Sequence, residues 1–200
     1  MHQAQSPQIY LASNSPRRQE ILQQMGVSFS VIPQFIEESL AEHETAKQFV
    51  CRLALEKACD GLQRQVNKQI PVLGSDTIVV LENKILGKPE NKQQSIEMLL
   101  SLSGKTHQVM TAVALVNEDT LTDVDKCKIS ISEVTFANLS QTLCENYWQT
   151  GEPADKAGSY GIQSKGALFV KNIKGSYSGV MGLPIYETGL LLNQYKINLL

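Results

Sequence analysis

Seven residues of this chain have the side chains that a polyanion site needs. Ser13, Arg17, Arg18, Lys57 and Lys88 can neutralise an oligophosphate, and Glu38 and Asp76 can hold a hard divalent cation through oxygen ligands. Such a set suits hydrolysis of a phosphoanhydride by positioning and charge stabilisation. Its centre is the stretch Leu11-Ala12-Ser13-Asn14-Ser15-Pro16-Arg17-Arg18. There Ser15 suits an N-cap, Pro16 suits the first helical position, and both arginines fall in the first helical turn. Cations oppose the partial positive charge of a helix N-terminus, so two guanidinium groups there point to an anion bound at the turn. The other reading is a capped helix whose arginines face solvent.

Asp76 is the second unusual residue. It stands in the middle of Val72-Leu73-Gly74-Ser75-Asp76-Thr77-Ile78-Val79-Val80, which has no other ionisable group. A carboxylate in such a strand is costly to bury unless it is paired, hydrogen-bonded or on a metal. It is either a functional group or half of a structural salt bridge. Lys57 lies on or beside the apolar stripe of a predicted helix. It either meets an anionic partner inside or lets its ammonium snorkel to water.

The elements that must carry these groups alternate between strand and helix. Strands are expected at 8–11 and 27–32, with Glu37 and Glu38 in the connector that follows. Thr45 to Gln65 predicts a helix with the stripe Ala46, Phe49, Val50, Leu53, Ala54, Ala58, Leu62. Val72 to Leu81 is a strand, Glu82-Asn83-Lys84 a turn, and Ile85-Leu86 the return. Lys92 to Leu102 predicts a helix stopped by Gly104. Strands follow at His107 to Val116 and Ser130 to Ala137. Ser140 caps a helix through Thr150, with Leu143 and Tyr147 inward and Gly151 as its stop. Gly151 to Gln163 is rich in small and charged residues, as expected of a functional loop. Ala167 to Val170 predicts a strand, Gly175 to Gly179 a glycine-rich turn, and Pro184 starts the last helix.

Composition excludes several classes. Eighteen basic against 20 acidic residues give a net charge of −2, so general nucleic-acid binding is not expected. No apolar run is long enough to span a membrane. The opening Met1 to Gln8 is polar and lacks a signal-peptide core, which predicts a cytoplasmic protein. Cys51, Cys59, Cys127 and Cys144 have no CxxC spacing and read as free, mostly buried thiols. Ser103-Gly104-Lys105-Thr106 imitates the end of a P-loop. Leu99 stands where that motif needs glycine, however, and the strand and helix come in the wrong order. Gly175 to Gly182 lacks the dinucleotide spacing. His2, His43 and His107 suggest surface or core roles, and Trp148 suggests packing.

The chain resembles the Maf family of nucleoside triphosphate pyrophosphatases. The resemblance rests on Leu11-Ala12-Ser13 with Ser15-Pro16-Arg17-Arg18, Glu56-Lys57-Ala58, Gly74-Ser75-Asp76-Thr77, Gly87-Lys88-Pro89, Ser103-Gly104, Gly151 to Gln163, and Gly175-Ser176-Tyr177 with Gly182-Leu183-Pro184. These blocks run in order along nearly all 200 residues. The resemblance implies an α/β fold like that of inosine triphosphate pyrophosphatases, with a mixed sheet, two lobes and a central cleft in one Maf-like domain. It implies a homodimer, a divalent metal such as Mg2+ or Mn2+, and cleavage between the α and β phosphates of a nucleoside triphosphate. Asp76 matches the family's proton acceptor, and Arg17, Thr77 and Gln163 match positions that set substrate choice. The block ending at Gln163 is similar to the dTTP/UTP type. Ser164 departs from the usual glycine, and Gly179 stands where asparagine is frequent. Two other readings keep the same residues: a pyrophosphatase for a modified purine nucleotide, and a nucleotide-binding regulator of cell division.

Overall fold

The computed structural model describes residues 7–65, 67–120 and 126–199. His2 and the start of the polar leader lie outside them. In chain order the elements are β1 (Ile9–Leu11), α1 (Pro16–Gln24), β2 (Phe29–Val31), α2 (Ala46–Gln63), β3 (Val72–Leu81), β4 (Lys84–Leu86), α3 (Lys92–Leu102), β5 (Thr106–Val116), β6 (Cys127–Phe136), α4 (Gln141–Trp148), β7 (Val170–Lys174), α5 (Tyr177–Met181) and α6 (Ile185–Gln194). Three 3-10 turns, Glu152–Asp155, Ala157–Ser159 and Lys165–Phe169, connect α4 to β7. The seven strands form a mixed sheet in the order β2-β1-β3-β5-β6-β7, with β4 on β3. This is the expected α/β class. The chain divides into two compact units, one from Met1–Asp76, Ala112–Ile129 and Gly182–Leu200, the other from Thr77–Thr111 and Ser130–Met181. Among the described residues no helix is long and apolar enough to cross a membrane.

The first unit holds β1 between two parallel neighbours, β2 and β3. Helix α2 starts with a reciprocal cap: Gln48 N–H donates to Thr45 Oγ1 at 3.3 Å, and Thr45 N–H donates to Gln48 Oε1 at 3.0 Å. Its predicted stripe is buried from Phe49 to Leu62, and Lys57 is buried with it. The helix lies unusually close to β3. A Cβ added to Gly74 would stand 2.3 Å from the Ala54 carbonyl oxygen and 2.5 Å from the Ala58 nitrogen. One helical turn later, a Cβ at Gly61 would meet Ile32, Val72 and Ala12 at 2.8 to 3.0 Å.

The second unit surrounds a ring cluster. His107 and Phe136 meet edge to face at 4.9 Å, Phe136 and Tyr160 at 4.7 Å, and Tyr147 and Phe169 at 4.8 Å. The β3–β4 hairpin turns on Glu82 and Asn83, both in the left-handed region with φ of 50° and 68°. Lys84 therefore belongs to the strand rather than to the turn.

Other expectations need correction. Leu143 is exposed, whereas Cys144 and Tyr147, three apart and so on one helix face, are buried. Leu143 sits at the capped start of α4, where its N–H donates to Ser140 Oγ. Residues 165–169 form a 3-10 turn that buries Phe169 and leaves Leu168 80% exposed, so the strand starts only at Val170. Tyr177 begins a short helix inside the expected glycine-rich turn. All four cysteines are free, but only Cys144 is fully buried. His43 is exposed and His107 is in the core.

Two outcomes follow from this packing. Gly74→Ala forces α2 away from β3 against backbone atoms, so urea unfolding should show a loss of about 1–3 kcal/mol. An unchanged midpoint would contradict the close approach. His107 Nε2 lies 2.8 Å from the Tyr160 hydroxyl, and its Nδ1 finds no partner among the described residues. Desolvation lowers its pKa from 6.5 to about 4. The unfolded chain therefore binds this proton first, so stability is full above pH 6.5 and falls as pH drops toward 4, by up to about 3 kcal/mol. Unfolding measured across that window should be less pH-dependent in His107→Gln; parallel curves would contradict the assignment.

Candidate active site

The turn between β1 and α1 is built on Ser13. Ser15 occupies the N-cap position, but its side chain makes no cap bond. Instead its N–H donates to Ser13 Oγ at 3.2 Å. The same buried oxygen accepts from Arg18 Nη1 at 3.1 Å, while Arg18 Nε donates to the Gly182 carbonyl at 2.8 Å. Ser75 Oγ also lies within reach of that carbonyl, at 3.1 Å, and of the Ala112 carbonyl, at 2.8 Å. Arg18 thus points inward, and the solvent-facing alternative does not hold for it. Burial pushes its pKa down, the Asp76 carboxylate pushes it up, neighbouring Arg17 adds to the lowering, and Glu38 again opposes it. The guanidinium remains charged at neutral pH. Arg17 is partly buried on the same turn.

The buried ammonium of Lys57 bridges two carboxylates, with Nζ 2.6 Å from Asp76 Oδ1 and 2.6 Å from Glu38 Oε1. The inward-facing reading of Lys57 therefore holds, and Asp76 is ion-paired. Glu38 is placed by α2 as well. Arg52 Nη2 donates to the Ser39 carbonyl at 2.9 Å, and its guanidinium pairs with Glu44 at 2.7 Å. Asp60 Oδ2 accepts from Phe35 N–H at 2.8 Å, fixing the other end of the connector. The Glu44 hydrogen bond is the chief cause that raises the Arg52 pKa, and the Arg64 hydrogen bond, ahead of the Phe35 N–H, is the chief cause that lowers that of Asp60.

Ser13, Arg18, Glu38, Lys57 and Asp76 therefore form one network of hydrogen bonds and close charges. It sets two positive groups, Arg18 and Lys57, beside two negative ones, Glu38 and Asp76. Among the described residues no group of three or more His, Cys, Asp or Glu side chains could hold a metal ion. Glu38 and Asp76 alone match the one or two carboxylates on which Mg2+ rests when water and phosphate complete its shell.

Thr77, Lys88 and Gln163 belong to the other unit. Thr77 follows Asp76 in β3, so the two side chains leave opposite faces of the strand. Thr77 Oγ1 lies 2.9 Å from Thr111 Oγ1, which lies 2.7 Å from the Gly179 carbonyl. The carbonyl can only accept, so the Thr111 proton goes there and Thr77 supplies the proton between the hydroxyls. Lys88 is exposed, in a segment held by Gly158 N–H donating to the Gly87 carbonyl at 3.0 Å. Gln163 is exposed on its loop. Ser159 anchors that loop: its φ is 65°, and its buried hydroxyl lies 2.5 Å from that of Ser95. At Gly179 a Cβ would stand 3.2 Å from Ser130 Oγ and from Ser176, so the glycine suits this packing better than asparagine. Gly74, Ser75 and Gly182 stand in the blocks shared with the Maf family but had no role there, and nothing in the sequence marks Arg52 or Thr111. Gly74-Ser75 in an otherwise apolar strand was the one available signal.

The fold and this network define an α/β protein with a buried lysine–dicarboxylate bridge beside an arginine-bearing turn. The chain belongs to the Maf family, whose model, described as Maf-like protein, matches residues 8–195. It is 49% identical over 196 residues to the dTTP/UTP pyrophosphatase of Alkalilimnicola ehrlichii, covering 96% of this chain and 95% of that protein. It is 47% identical over 194 residues to the dTTP/UTP pyrophosphatase of Saccharophagus degradans, covering 96% and 90%. With the Escherichia coli O157:H7 dTTP/UTP pyrophosphatase the identity is 49% over 188 residues, covering 94% and 93%. The solved Staphylococcus aureus Ham1 protein is 17% identical over 66% of this chain and 72% of that one, with a TM-score of 0.43, and carries no argument here.

Removing Lys57 while Asp76 remains strands a charge in an apolar strand. Lys57→Met should therefore lose about 3–5 kcal/mol at neutral pH, and adding Asp76→Asn should recover much of it. Additive losses in urea unfolding of the two variants and their combination would contradict the pairing.

Proposed function

We propose that this protein is a nucleoside triphosphate pyrophosphatase that hydrolyses dTTP and UTP to the monophosphate and pyrophosphate. The observation that carries the reading is the Lys57 bridge between Asp76 and Glu38, whose carboxylates act electrostatically on the Arg18 guanidinium held by Ser13, in a chain of the Maf family. Phosphoryl transfer of this kind needs little covalent help from the protein. It needs an activated water, a fixed phosphate chain and neutralisation of the leaving group.

Asp76 takes the proton of the attacking water, and its placement in rigid β3 fixes the line of attack on the α phosphorus. Arg18, Arg17, Lys57 and Lys88 neutralise the phosphate chain, and Ser13 orients the Arg18 fork. Glu38 and Asp76 are the carboxylates that would hold Mg2+ or Mn2+, which would neutralise charge on the phosphate oxygens. Lys57 keeps both carboxylates in place and supplies a fixed positive charge between them.

Thr77 and Arg17 set the pose of the nucleotide, and Gln163 reads its base. Uracil and thymine present two carbonyl acceptors flanking an N–H donor, so one glutamine amide can satisfy two adjacent groups. Cytosine offers a different pattern, and a buried mismatch leaves polar groups unpaired. The protein acts as a homodimer in the cytoplasm. A buried carboxylate gains little for a protein that only binds anions, which favours an enzyme over a nucleotide-binding regulator.

Asp76→Asn is nearly isosteric and should fold, but should lose roughly 10²–10⁴-fold in kcat on dTTP, or more if a metal ligand is lost with the base. Near-normal turnover in the folded variant would remove Asp76 from the mechanism. On a panel of dTTP, UTP, CTP and GTP, Arg18→Ala should cost about 1.5–3 kcal/mol in kcat/KM, alike for dTTP and UTP. A base-dependent loss would move Arg18 out of the phosphate site.

A further inference from the structure

A closed loop presents Gln163, and a single carboxylate closes it. Glu152 Oε1 accepts from the Tyr147 hydroxyl at 2.8 Å and from Gly166 N–H at 3.2 Å, and Oε2 accepts from Lys165 N–H at 3.1 Å. The Tyr147 hydroxyl in turn accepts from Gly161 N–H at 3.1 Å. The backbones of Gly161 and Gly166 are thereby pressed together. A Cβ at Gly166 would stand 2.4 Å from the Gly161 carbonyl oxygen and 2.7 Å from the Tyr147 hydroxyl. Only residues 162 to 165 lie between these two points, and Gln163 is one of them.

The clamp is anchored from below. Tyr147 is buried on α4, edge-on to Phe169, so its hydroxyl has a fixed position. Lys165 and Gly166 also open the 3-10 turn Lys165–Phe169, whose N-cap residue Ser164 makes no side-chain cap bond. Their N–H groups would otherwise be left to water. Within the loop Ile162 is buried and Ala167 N–H donates to the Ser164 carbonyl at 3.1 Å, while the bonds of Tyr147 and Glu152 tie its two ends.

We infer that Glu152 and Tyr147 are positioning residues for nucleotide choice: their clamp on Gly161, Lys165 and Gly166 holds the loop that carries Gln163 in the conformation that discriminates bases. The inference rests on the proposed base-reading role of Gln163 and deepens it. A hydrogen-bonding amide discriminates only if its donor and acceptor are held at fixed positions, which a freed loop cannot do. Glu152 touches neither substrate nor reacting atoms in this account. Its loss should therefore change the ratio between nucleotides more than turnover of the preferred one.

The test compares the dTTP-to-CTP ratio of kcat/KM in the full-length protein, Gln163→Ala, Glu152→Ala, Glu152→Gln and the double variant Gln163→Ala/Glu152→Ala. Amide hydrogen exchange at residues 161–166 is measured alongside. Glu152→Ala should lower the ratio by at least about tenfold, and exchange at Gly161, Lys165 and Gly166 should rise. Glu152→Gln keeps one acceptor oxygen and should restore part of the ratio. Adding Glu152→Ala to Gln163→Ala should lower it no further, because both act through one contact. If Glu152→Ala folds poorly, Tyr147→Phe removes the hydroxyl while keeping the core ring, and the same readings apply. An unchanged ratio in Glu152→Ala, or an equal loss for all nucleotides, overturns the inference whatever Gln163→Ala does. If Gln163→Ala leaves the ratio unchanged while Glu152→Ala lowers it, the base-reading role of Gln163 fails. The clamp then stands, acting through another residue of the same loop.

Discussion

The contact on which the site depends is the approach of α2 to β3 at Gly74. No side chain fits there, because the Ala54 carbonyl and the Ala58 nitrogen already occupy its space. Lys57 sits between those two alanines in the helix, and Asp76 lies two residues beyond Gly74 in the strand. Two positions apart in a strand means the same face, so the glycine that admits the helix also aims Asp76 at it. With the helix so close, the lysine reaches the carboxylate at 2.6 Å without leaving the core. A buried ion pair of this kind is poor value as a source of stability, because desolvating both charges offsets most of their attraction. Its persistence in the centre of the sheet is better understood as the cost of chemistry than as a fold requirement.

The same helix arranges the rest of the cluster. Lys57 carries a second carboxylate, Glu38, from a connector that has no strand or helix of its own. That connector is held by Arg52 at Ser39 and Glu44 and by Asp60 at Phe35, two residues on α2 acting at different heights. From the other side, Arg18 is fixed at both ends of its guanidinium, on Ser13 and on the Gly182 carbonyl. The result is a pair of cations and a pair of anions whose side chains are already bonded before a ligand arrives. Such preorganisation lets a charged substrate be stabilised with little movement of dipoles.

Much of this was legible in the sequence because burial writes a pattern. The ten-residue strand β3 was readable to the residue, since an uninterrupted apolar run bounded by a turn has few other uses. Asp76 stood out against that run, and Lys57 against the stripe of α2. Helix α3 was equally plain, with Gly104 after it, and the structure adds the Asn91 cap before it. What failed were features decided by tertiary contacts. Leu143 and Cys144 are both apolar, and only the packing of α4 decides which one turns inward. Residues 167–170 read as a strand, yet the Glu152 carboxylate captures the N–H groups of Lys165 and Gly166 just before them, and 165–169 form a 3-10 turn. The tethering of the Glu38-bearing connector by Arg52 was invisible for the same reason: its partners there, the Ser39 carbonyl and Glu44, lie outside the helix that carries Arg52. The bond from Arg18 to Ser13, with no cap from the Ser15 side chain, needed coordinates.

The central claim is that this cluster directs water at the α phosphorus, with Asp76 as the base and the cations holding a diphosphate leaving group. Hydrolysing dTTP in oxygen-18 water and weighing both products by mass spectrometry tests it most directly. The account predicts one heavy oxygen in the nucleoside monophosphate and none in pyrophosphate. Heavy oxygen in pyrophosphate, or orthophosphate as the main product, would contradict it.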